Sequence, residues 1–212
     1  MPLFYSKEAR IFKTSCGPFD NNSYLVVCPS TGESIIIDAP MGPGEIIEEA
    51  KGTHVKAILI THGHQDHLAG LGEIIDATGA PVRVHRDDAK ALTISPETMI
   101  EDGENIIVGT LEIAAIHTPG HTPGSLCYLV GKHLFSGDTL FPGGPGRSRS
   151  PEALLQIIES ITDRLYDLAD DTFILPGHGG NTTIGVSKEQ YSVFQGKEHP
   201  KDLSGDVLWL ES

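Results

Sequence analysis

Cysteine is scarce in this chain, which has 212 residues and only three cysteines, at Cys16, Cys28 and Cys127. They form neither a CxxC zinc pattern nor the even set of a disulfide framework. Reduced thiols in a reducing compartment are the simplest interpretation. The N-terminal sequence MPLFYSKEARIFKTS also lacks the apolar core of a signal peptide. We therefore expect a cytoplasmic protein.

Basic residues and long apolar runs are also few. Lysine and arginine number 15 against 29 acidic residues, which gives a formal charge of −14. This field would repel a phosphate backbone, and no basic cluster is dense enough to overcome it. No apolar run approaches the roughly 20 residues of a membrane-spanning helix. We therefore expect neither nucleic acid nor a membrane as a partner.

The chain does contain enough apolar sequence for one globular domain. Hydrophobic residues make up 39% of it, and charged residues 21%. Both values are typical of a core-forming protein, and this length suits a single domain. We expect one domain over residues 1–212, with a short C-terminal helix and a polar tail after about residue 181.

Apolar patterning divides this domain into two groups of strands. Period-2 alternation and Ile/Val-rich runs predict strands at 9–15, 22–28, 33–39, 55–61, 81–85 and 171–177, and hairpins over 105–118 and 125–138. Helical spacing with Pro or Gly near the ends predicts helices at 43–51, at 66–78, from Pro151 onward and near 187–195. Two groups of strands with helices outside them indicate an α/β sandwich of layers.

The segment ILITHGHQDHLAG, residues 58–70, places four potential metal ligands directly behind an apolar strand. His62 and His64 are two residues apart, so on an extended segment they point the same way. Asp66 and His67 follow, where the next helix is predicted to begin. This spacing can aim two histidines at one metal ion and the Asp-His pair at a neighbouring ion. A polar loop with incidental histidines is the alternative.

Three further candidate ligands follow later strands in the same way. His121 lies in TPGHTPGS, Asp138 in LFSGDTLF and His178 in ILPGHGG. Each abuts a glycine, which lets the backbone turn sharply. Loops on a rigid scaffold often carry binding groups, so we expect a shared site at one edge of the sheets. The remaining histidines are interpreted as structural: His54, His85, His117, His133 and His199. For His117, support of a metal ligand is the alternative.

The order HxHxDH, then a distant His, an Asp and a His, resembles the metallo-β-lactamase superfamily. The resemblance covers residues from about 20 to 180 and implies a metallo-β-lactamase-like αβ/βα four-layer sandwich with a two-metal site at the edge between the sheets. By the same resemblance, the ligands of the first metal ion are His62, His64 and His121, those of the second are Asp66, His67 and His178, and Asp138 bridges both.

Within that superfamily, THGHQDHLAG, PGHTPGS and SGDTLFPGGPGR are similar to the glyoxalase II-like hydrolases. The resemblance implies hydrolysis of a hydroxyacyl-glutathione thioester by a metal-bound hydroxide, which Asp66 and Asp138 orient. It implies two divalent metal ions as cofactors, with zinc as the first choice and iron or manganese as alternatives. Arg147 matches a basic position of the group and is the candidate contact for a substrate carboxylate or phosphate. A solvated loop arginine is the alternative for that residue.

Two departures from that group leave the thiol or alcohol half of the substrate open. Longer members close the glutathione pocket with a C-terminal helical extension, whereas few residues follow His178 here. They also carry aromatic residues after the Gly-Lys/Arg element, where this chain has Ser148 and Arg149, and after the final histidine, where it has two glycines. The expected partner is a small acyl thioester or ester. The pattern does not define an oligomeric state.

Three other functions stay open. A persulfide dioxygenase of the same superfamily uses one iron ion, for which His62, His121 and Asp138 would be the ligands. Its members continue Gly-Arg with Thr-Asp-Phe, whereas this chain has GRSRS. A lactone or ester hydrolase is chemically close to a thioesterase. A metal-free binding module would keep the fold, but the complete set of seven ligands argues against it.

Overall fold

The computed structural model describes residues 2–5, for which only the backbone is considered, together with 9–96 and 98–212. The β-strands are β1 (Pro2–Tyr5), β2 (Arg10–Cys16), β3 (Asn21–Val27), β4 (Glu33–Ile37), β5 (His54–Leu59), β6 (Val82–His85), β7 (Thr98–Ile100), β8 (Asn105–Val108), β9 (Leu111–His117), β10 (Leu126–Val130), β11 (His133–Gly137), β12 (Leu140–Phe141), β13 (Gly144–Pro145), β14 (Phe173–Pro176) and β15 (Thr182–Thr183). The α-helices are α1 (Gly44–Ala50), α2 (Leu71–Thr78), α3 (Pro151–Ser160) and α4 (Ile184–Gln195). In these ranges, none of the helices has the length and apolar character needed to cross a membrane.

These strands form two large sheets and one small hairpin. The first sheet has the order β1-β2-β3-β4-β5-β6-β7, the second has the order β15-β14-β11-β10-β9-β8, and β12 pairs with β13. In the second sheet, β9 and β11 both run antiparallel to β10, and β14 runs parallel to β11. The carboxyl ends of β9, β11 and β14 therefore lie at one edge of that sheet.

Side-chain alternation places each sheet between two apolar layers. On β3, Tyr24 and Val26 pack with residues of the second sheet, whereas Leu25 and Val27 pack with residues of α1 and α2. The outer face of the second sheet packs against α3, α4 and the C-terminal residues. Each such fully buried side chain contributes about 1.5–3 kcal/mol of hydrophobic free energy. The layers are helix, sheet, sheet and helix, which confirms the predicted αβ/βα sandwich.

The helix predicted over 66–78 is wrong in its first part. A 3₁₀ turn covers Gln65–His67, and α2 begins only at Leu71. Between them the backbone bonds elsewhere: Ala39 N donates to His67 O over 2.9 Å, and Gly70 N donates to Ala39 O over 2.8 Å. These bonds replace those of a helical turn, so the ligand-bearing segment has its own conformation.

The polar tail predicted after the last helix is also wrong. Trp209 is fully buried, and Val207 is nearly so. The Trp209 ring lies 4.8 Å from the Phe194 ring of α4, between centroids. Its backbone N–H donates to Gly143 O in the β12–β13 loop over 2.8 Å. Val207 and Trp209 thus belong to the core, although most residues around them are exposed, and α4 itself is longer than the predicted helix over 187–195.

Candidate metal centre

The seven predicted ligands lie in loops that follow strands of both sheets. The loop after β5 holds His62, His64, Asp66 and His67, and the loops after β9, β11 and β14 hold His121, Asp138 and His178. The three loops of the second sheet start from the same edge, because their strands run in one direction. The structure brings all seven side chains together there, in overlapping groups that could hold a metal ion.

The first group consists of three imidazoles. His64 Nδ1 lies 3.1 Å from His62 Nε2 and 2.9 Å from His121 Nε2. His62 is buried beneath the other two, with 1% of its surface exposed. Three imidazole nitrogens at this separation match the spacing expected around one zinc-sized ion with Zn–N bonds of about 2.0–2.1 Å.

The second group combines two imidazoles and a carboxylate. His67 Nε2 lies 3.1 Å from His178 Nε2. Asp66 Oδ2 lies 3.2 Å from His178 Nε2 and 3.6 Å from His67 Nε2. The segment after β5 therefore has side chains in both groups, and their role as metal ligands stays a prediction.

Asp138 lies between the two groups. Its Oδ2 is 3.5 Å from His121 Nε2, 3.5 Å from His178 Nε2 and 4.0 Å from His62 Nε2. Its Oδ1 is 3.4 Å from His67 Nε2. One carboxylate is thus within reach of nitrogens from both groups.

The residues present fit a pair of divalent metal ions. Asp138 Oδ1 is buried and has no hydrogen-bond partner among the described residues, and such a group normally has one. Several imidazole nitrogens also face each other at hydrogen-bond distance, where an ion between them would use both lone pairs. The donor set of imidazoles and carboxylates suits zinc, iron and manganese.

Backbone carbonyls fix the tautomers of two of these histidines. His121 Nδ1 lies 2.8 Å from Arg147 O, and His178 Nδ1 lies 2.8 Å from Phe19 O. A carbonyl only accepts, so in each ring Nδ1 carries the proton and Nε2 keeps its lone pair. Nε2 is the atom that faces the other ligands, so both rings are oriented for metal binding.

Asp38, which the sequence analysis did not single out, orients His67. Its Oδ2 accepts from His67 Nδ1 over 2.9 Å and from Thr61 Oγ1 over 2.7 Å, and its Oδ1 accepts from Thr61 N over 2.8 Å. Asp38 is 2% exposed. Its backbone has φ of 60°, which aspartate tolerates better than most residues. The sequence signal is an aspartate directly after the apolar run SIII.

Two further side chains support the ligand loops. Asn21 Nδ2 donates to Asp66 Oδ2 over 2.9 Å. Asp88 accepts from Gly63 N over 2.8 Å and from Thr122 Oγ1 over 2.6 Å, which joins the loops after β5 and β9. Their spacing in the sequence carries no ligand pattern, so sequence reasoning missed both.

Burial and the two buried carboxylates set the charges of the centre. Burial lowers the pKa of His62 well below its usual value, and the neighbouring His67 lowers it further. Burial also lowers the pKa of His67, but Asp38 and Asp138 outweigh this and raise that pKa well above the usual value. Burial opposes ionisation of Asp138, yet its contacts with His178 and His67 hold its pKa well below the usual value. Asp138 is thus a carboxylate at neutral pH, the form that binds metal ions.

A cavity of about 840 Å³ opens directly above these ligands. One side is apolar and includes Phe19, Phe141 and Leu208. Arg147, the predicted substrate contact, also lines this cavity. The centre therefore has an adjacent space large enough for a small molecule.

A separate group of His85, Asp87 and His117 lies outside this centre. The two imidazole rings stack at 4.2 Å with an angle of 11° between their planes. His117 Nε2 donates to Pro123 O over 2.8 Å. Parallel stacked rings do not direct their in-plane lone pairs at one point, so the structural interpretation of these histidines stands.

Comparison with known proteins agrees with the fold. The family model described as "Metallo-beta-lactamase superfamily" matches residues 16–193. The chain therefore belongs to the metallo-β-lactamase superfamily, whose members are mostly metal-dependent hydrolases. Its clusters of His and Asp are able to bind a metal ion.

Three known proteins illustrate what this chain is similar to. This chain is 35% identical over 166 residues to a hydroxyacylglutathione hydrolase of Polaromonas sp. The matched region covers 76% of this chain and 62% of that enzyme. The crystal structure of BLEG-1 B3 metallo-beta-lactamase superposes with a TM-score of 0.78 at 27% identity, covering 84% of this chain and 96% of that one. The crystal structure of ETHE1 from Myxococcus xanthus superposes with a TM-score of 0.73 at 26% identity. The match covers 84% of this chain and 81% of that one.

Proposed function

We propose that the protein is a dinuclear metal-dependent hydrolase that acts on acyl thioesters of the hydroxyacyl-glutathione type. The observation that carries the proposal is the position of Asp138 between two ligand groups. Its two oxygens lie 3.4 to 4.0 Å from the nitrogens of His62, His67, His121 and His178. A carboxylate placed in this way suits a bridge between two ions.

In this proposal, His62, His64 and His121 hold the first ion, and Asp66, His67 and His178 hold the second. Two such ions, when bound, lower the pKa of a water molecule to about 7 and polarise an acyl carbonyl. Asp138 and Asp66 orient the attacking oxygen through their carboxylates. The departing thiolate is a weak base, so the chain needs no strong general acid. Zinc is the proposed metal, with iron or manganese as alternatives.

The thioester assignment rests on the similarity to the Polaromonas hydroxyacylglutathione hydrolase and on the form of the cavity. The chain spans only 62% of that enzyme's length, so the thiol half of the substrate can differ. The apolar side of the cavity, with Phe19 and Phe141, suits a carbon chain. Arg147 on the same cavity suits a carboxylate or phosphate. We further propose one domain over 1–212 and a cytoplasmic location, which suits the three free, buried cysteines.

A mononuclear iron persulfide dioxygenase of the same superfamily is the second candidate. His62, His121 and Asp138 would then hold one iron ion. The intact second group, with His67 and His178 3.1 Å apart, favours two ions instead. A lactone or ester hydrolase would use the same two-metal centre and is separated from the thioesterase only by substrate assays.

The test is elemental analysis of the purified protein, followed by hydrolysis assays with acyl thioesters, esters and lactones. We expect about two metal ions per chain and the highest kcat/KM for a thioester. His178→Ala should lower both metal content and rate, whereas His54→Ala, at an exposed position outside the centre, should change neither. One iron ion per chain with oxygen uptake on a persulfide would favour the dioxygenase. A folded protein that binds no metal would favour a binding module.

A further inference from the structure

The segment Arg147–Arg149 is held in an extended form beside the metal centre by the C-terminal residues. Ser148 N donates to Gly205 O over 3.0 Å, and Gly205 N donates to Ser148 O over 3.0 Å. Gly205 N also lies 3.1 Å from Ser148 Oγ. Ser148 is buried, whereas Arg147 and Arg149 on either side of it are exposed. Since neighbouring side chains alternate on an extended segment, Arg147 and Arg149 lie on the opposite side of it from Ser148.

The two arginines face one polar cavity. It has a volume of about 510 Å³ and is lined by both arginines, by His64 and His121, and by the tail residues Ser204 and Gly205. Across the described part of the chain, neither guanidinium pairs with a carboxylate. Both guanidinium groups are therefore available to an anion that enters this cavity.

Within the ranges that the structure describes, Arg149 has one polar side-chain contact, with His64, and a bound metal ion would remove it. Its Nη2 lies 2.9 Å from His64 Nε2. His64 Nδ1 is the atom that faces His62 and His121. When Nδ1 uses its lone pair for a metal ion, the proton of the neutral ring is on Nε2. Nε2–H and the guanidinium are then both donors, so Arg149 would be free to donate to an acceptor in the cavity.

We propose that Arg149 determines substrate specificity: together with Arg147, it binds an anionic group, a carboxylate or a phosphate, on the leaving half of the substrate. The inference rests on the proposed hydrolase function and adds the substrate class. A guanidinium presents several donors in a fixed plane, which matches the oxygens of a carboxylate or phosphate. Ser148 and Gly205 act as positioning residues, because their backbone hydrogen bonds fix the main-chain positions of Arg147 and Arg149.

The experiment compares one acyl group carried on three thiols: glutathione, with carboxylates; coenzyme A, with phosphates; and N-acetylcysteamine, which is uncharged. The proteins are wild type, Arg149→Gln, Arg149→Lys and the control Lys201→Ala. Lys201 is an exposed tail residue outside the cavity. Its replacement by alanine removes one positive charge, as Arg149→Gln does. Binding of S-methylglutathione and of S-methyl-coenzyme A, thioethers that cannot be hydrolysed, is measured by calorimetry on the zinc-loaded proteins.

We expect Arg149→Gln to lower kcat/KM for one of the anionic thioesters by about fivefold or more, mainly through KM, and to leave the uncharged thioester unchanged. The preferred thiol, glutathione or coenzyme A, identifies carboxylate or phosphate. Arg149→Lys should retain part of the preference, and Lys201→Ala all of it. If glutathione is preferred, S-methylglutathione should bind Arg149→Gln more weakly by a similar factor.

Two results would overturn the inference while leaving the hydrolase intact. One is equal loss on charged and uncharged thioesters, which would mean that Arg149 acts through His64 alone. The other is a wild-type enzyme that does not prefer either anionic thiol. If no thioester is hydrolysed, the proposed function fails. Binding of S-methylglutathione and of S-methyl-coenzyme A then decides for Arg149: if neither thioether binds the wild type, or if neither Kd changes in Arg149→Gln, the inference is wrong.

Discussion

Replacement of Asp38 by asparagine tests how the second ligand group is oriented. Asn has the same shape, and it tolerates the left-handed backbone with φ of 60° at this position. In the wild type, Thr61 N donates to Asp38 Oδ1 over 2.8 Å. The Oδ1 atom of asparagine can accept the same bond. Its amide NH₂ then faces His67 Nδ1 in place of a carboxylate oxygen. The ring should respond by accepting at Nδ1 and carrying its proton on Nε2.

That change places a proton on the atom of His67 that faces His178 and Asp138. We expect Asp38→Asn to weaken metal binding at the second group by about 10- to 100-fold, the usual effect of losing such a partner. This factor corresponds to about 1.4–2.8 kcal/mol of binding free energy. The fold should remain, because the backbone and the bond from Thr61 N are kept, and the Thr61 hydroxyl can accept from the new amide in place of donating to Oδ2.

Competition with a fluorescent zinc chelator measures both affinities, and nitrogen NMR of the imidazoles reports the His67 tautomer. The control is Asp87→Asn, an exposed carboxylate in the separate group of His85 and His117. It should bind two zinc ions like the wild type. The reasoning is refuted if Asp38→Asn also binds both ions with wild-type affinity while His67 keeps its proton on Nδ1.

Four further predictions follow from the same geometry. Asp138→Asn should abolish hydrolysis and lower metal content, and two ions per chain by elemental analysis would contradict the bridging role. Gly177→Ala would place a methyl group against Asp138 Oδ1, so its zinc content should fall, whereas Gly180→Ala, with open space around it, should retain zinc. Arg147→Ala should raise KM for an anionic thioester more than it lowers kcat, and an equal KM on charged and uncharged substrates would remove Arg147 from the site. Burial, followed by the stacked imidazole of His117, lowers the pKa of His85. As the pH falls, the unfolded chain therefore binds a proton at His85 before the folded chain does. The free energy of unfolding should then fall as the pH drops below 6.5. Denaturant titrations should show a smaller fall for His85→Gln, and an equal fall would contradict this.

The clustering of the seven predicted ligands was predictable because each follows an apolar strand, and strand ends that run in one direction meet at one edge. His121, Asp138 and His178 are brought together by this rule alone. Asp38 was not predictable in the same way. An aspartate after an apolar strand has no ligand spacing, and its role depends on the left-handed turn that aims it at His67.

The other errors come from contacts between residues distant in sequence. The helical pattern over 66–78 has the right apolar spacing, but the bonds of His67 and Gly70 to Ala39 interrupt it. The sequence of the tail predicts a polar segment because Trp209 and its few apolar neighbours stand among charged residues. The burial of Trp209 requires α4 on one side and the β12–β13 loop on the other. No local pattern contains that information.

The two ligand groups join parts of the chain that are far apart in sequence. His64 and His121 are 57 residues apart, and His67 and His178 are 111 apart. A metal ion held by either pair would cross-link the two sheets, as a disulfide would, and closing loops of this size is worth about 4–5 kcal/mol in the loop-entropy model. The three cysteines form no such link, because all are free. The cross-links of this fold would then depend on the supply of metal in the cell and not on its redox state.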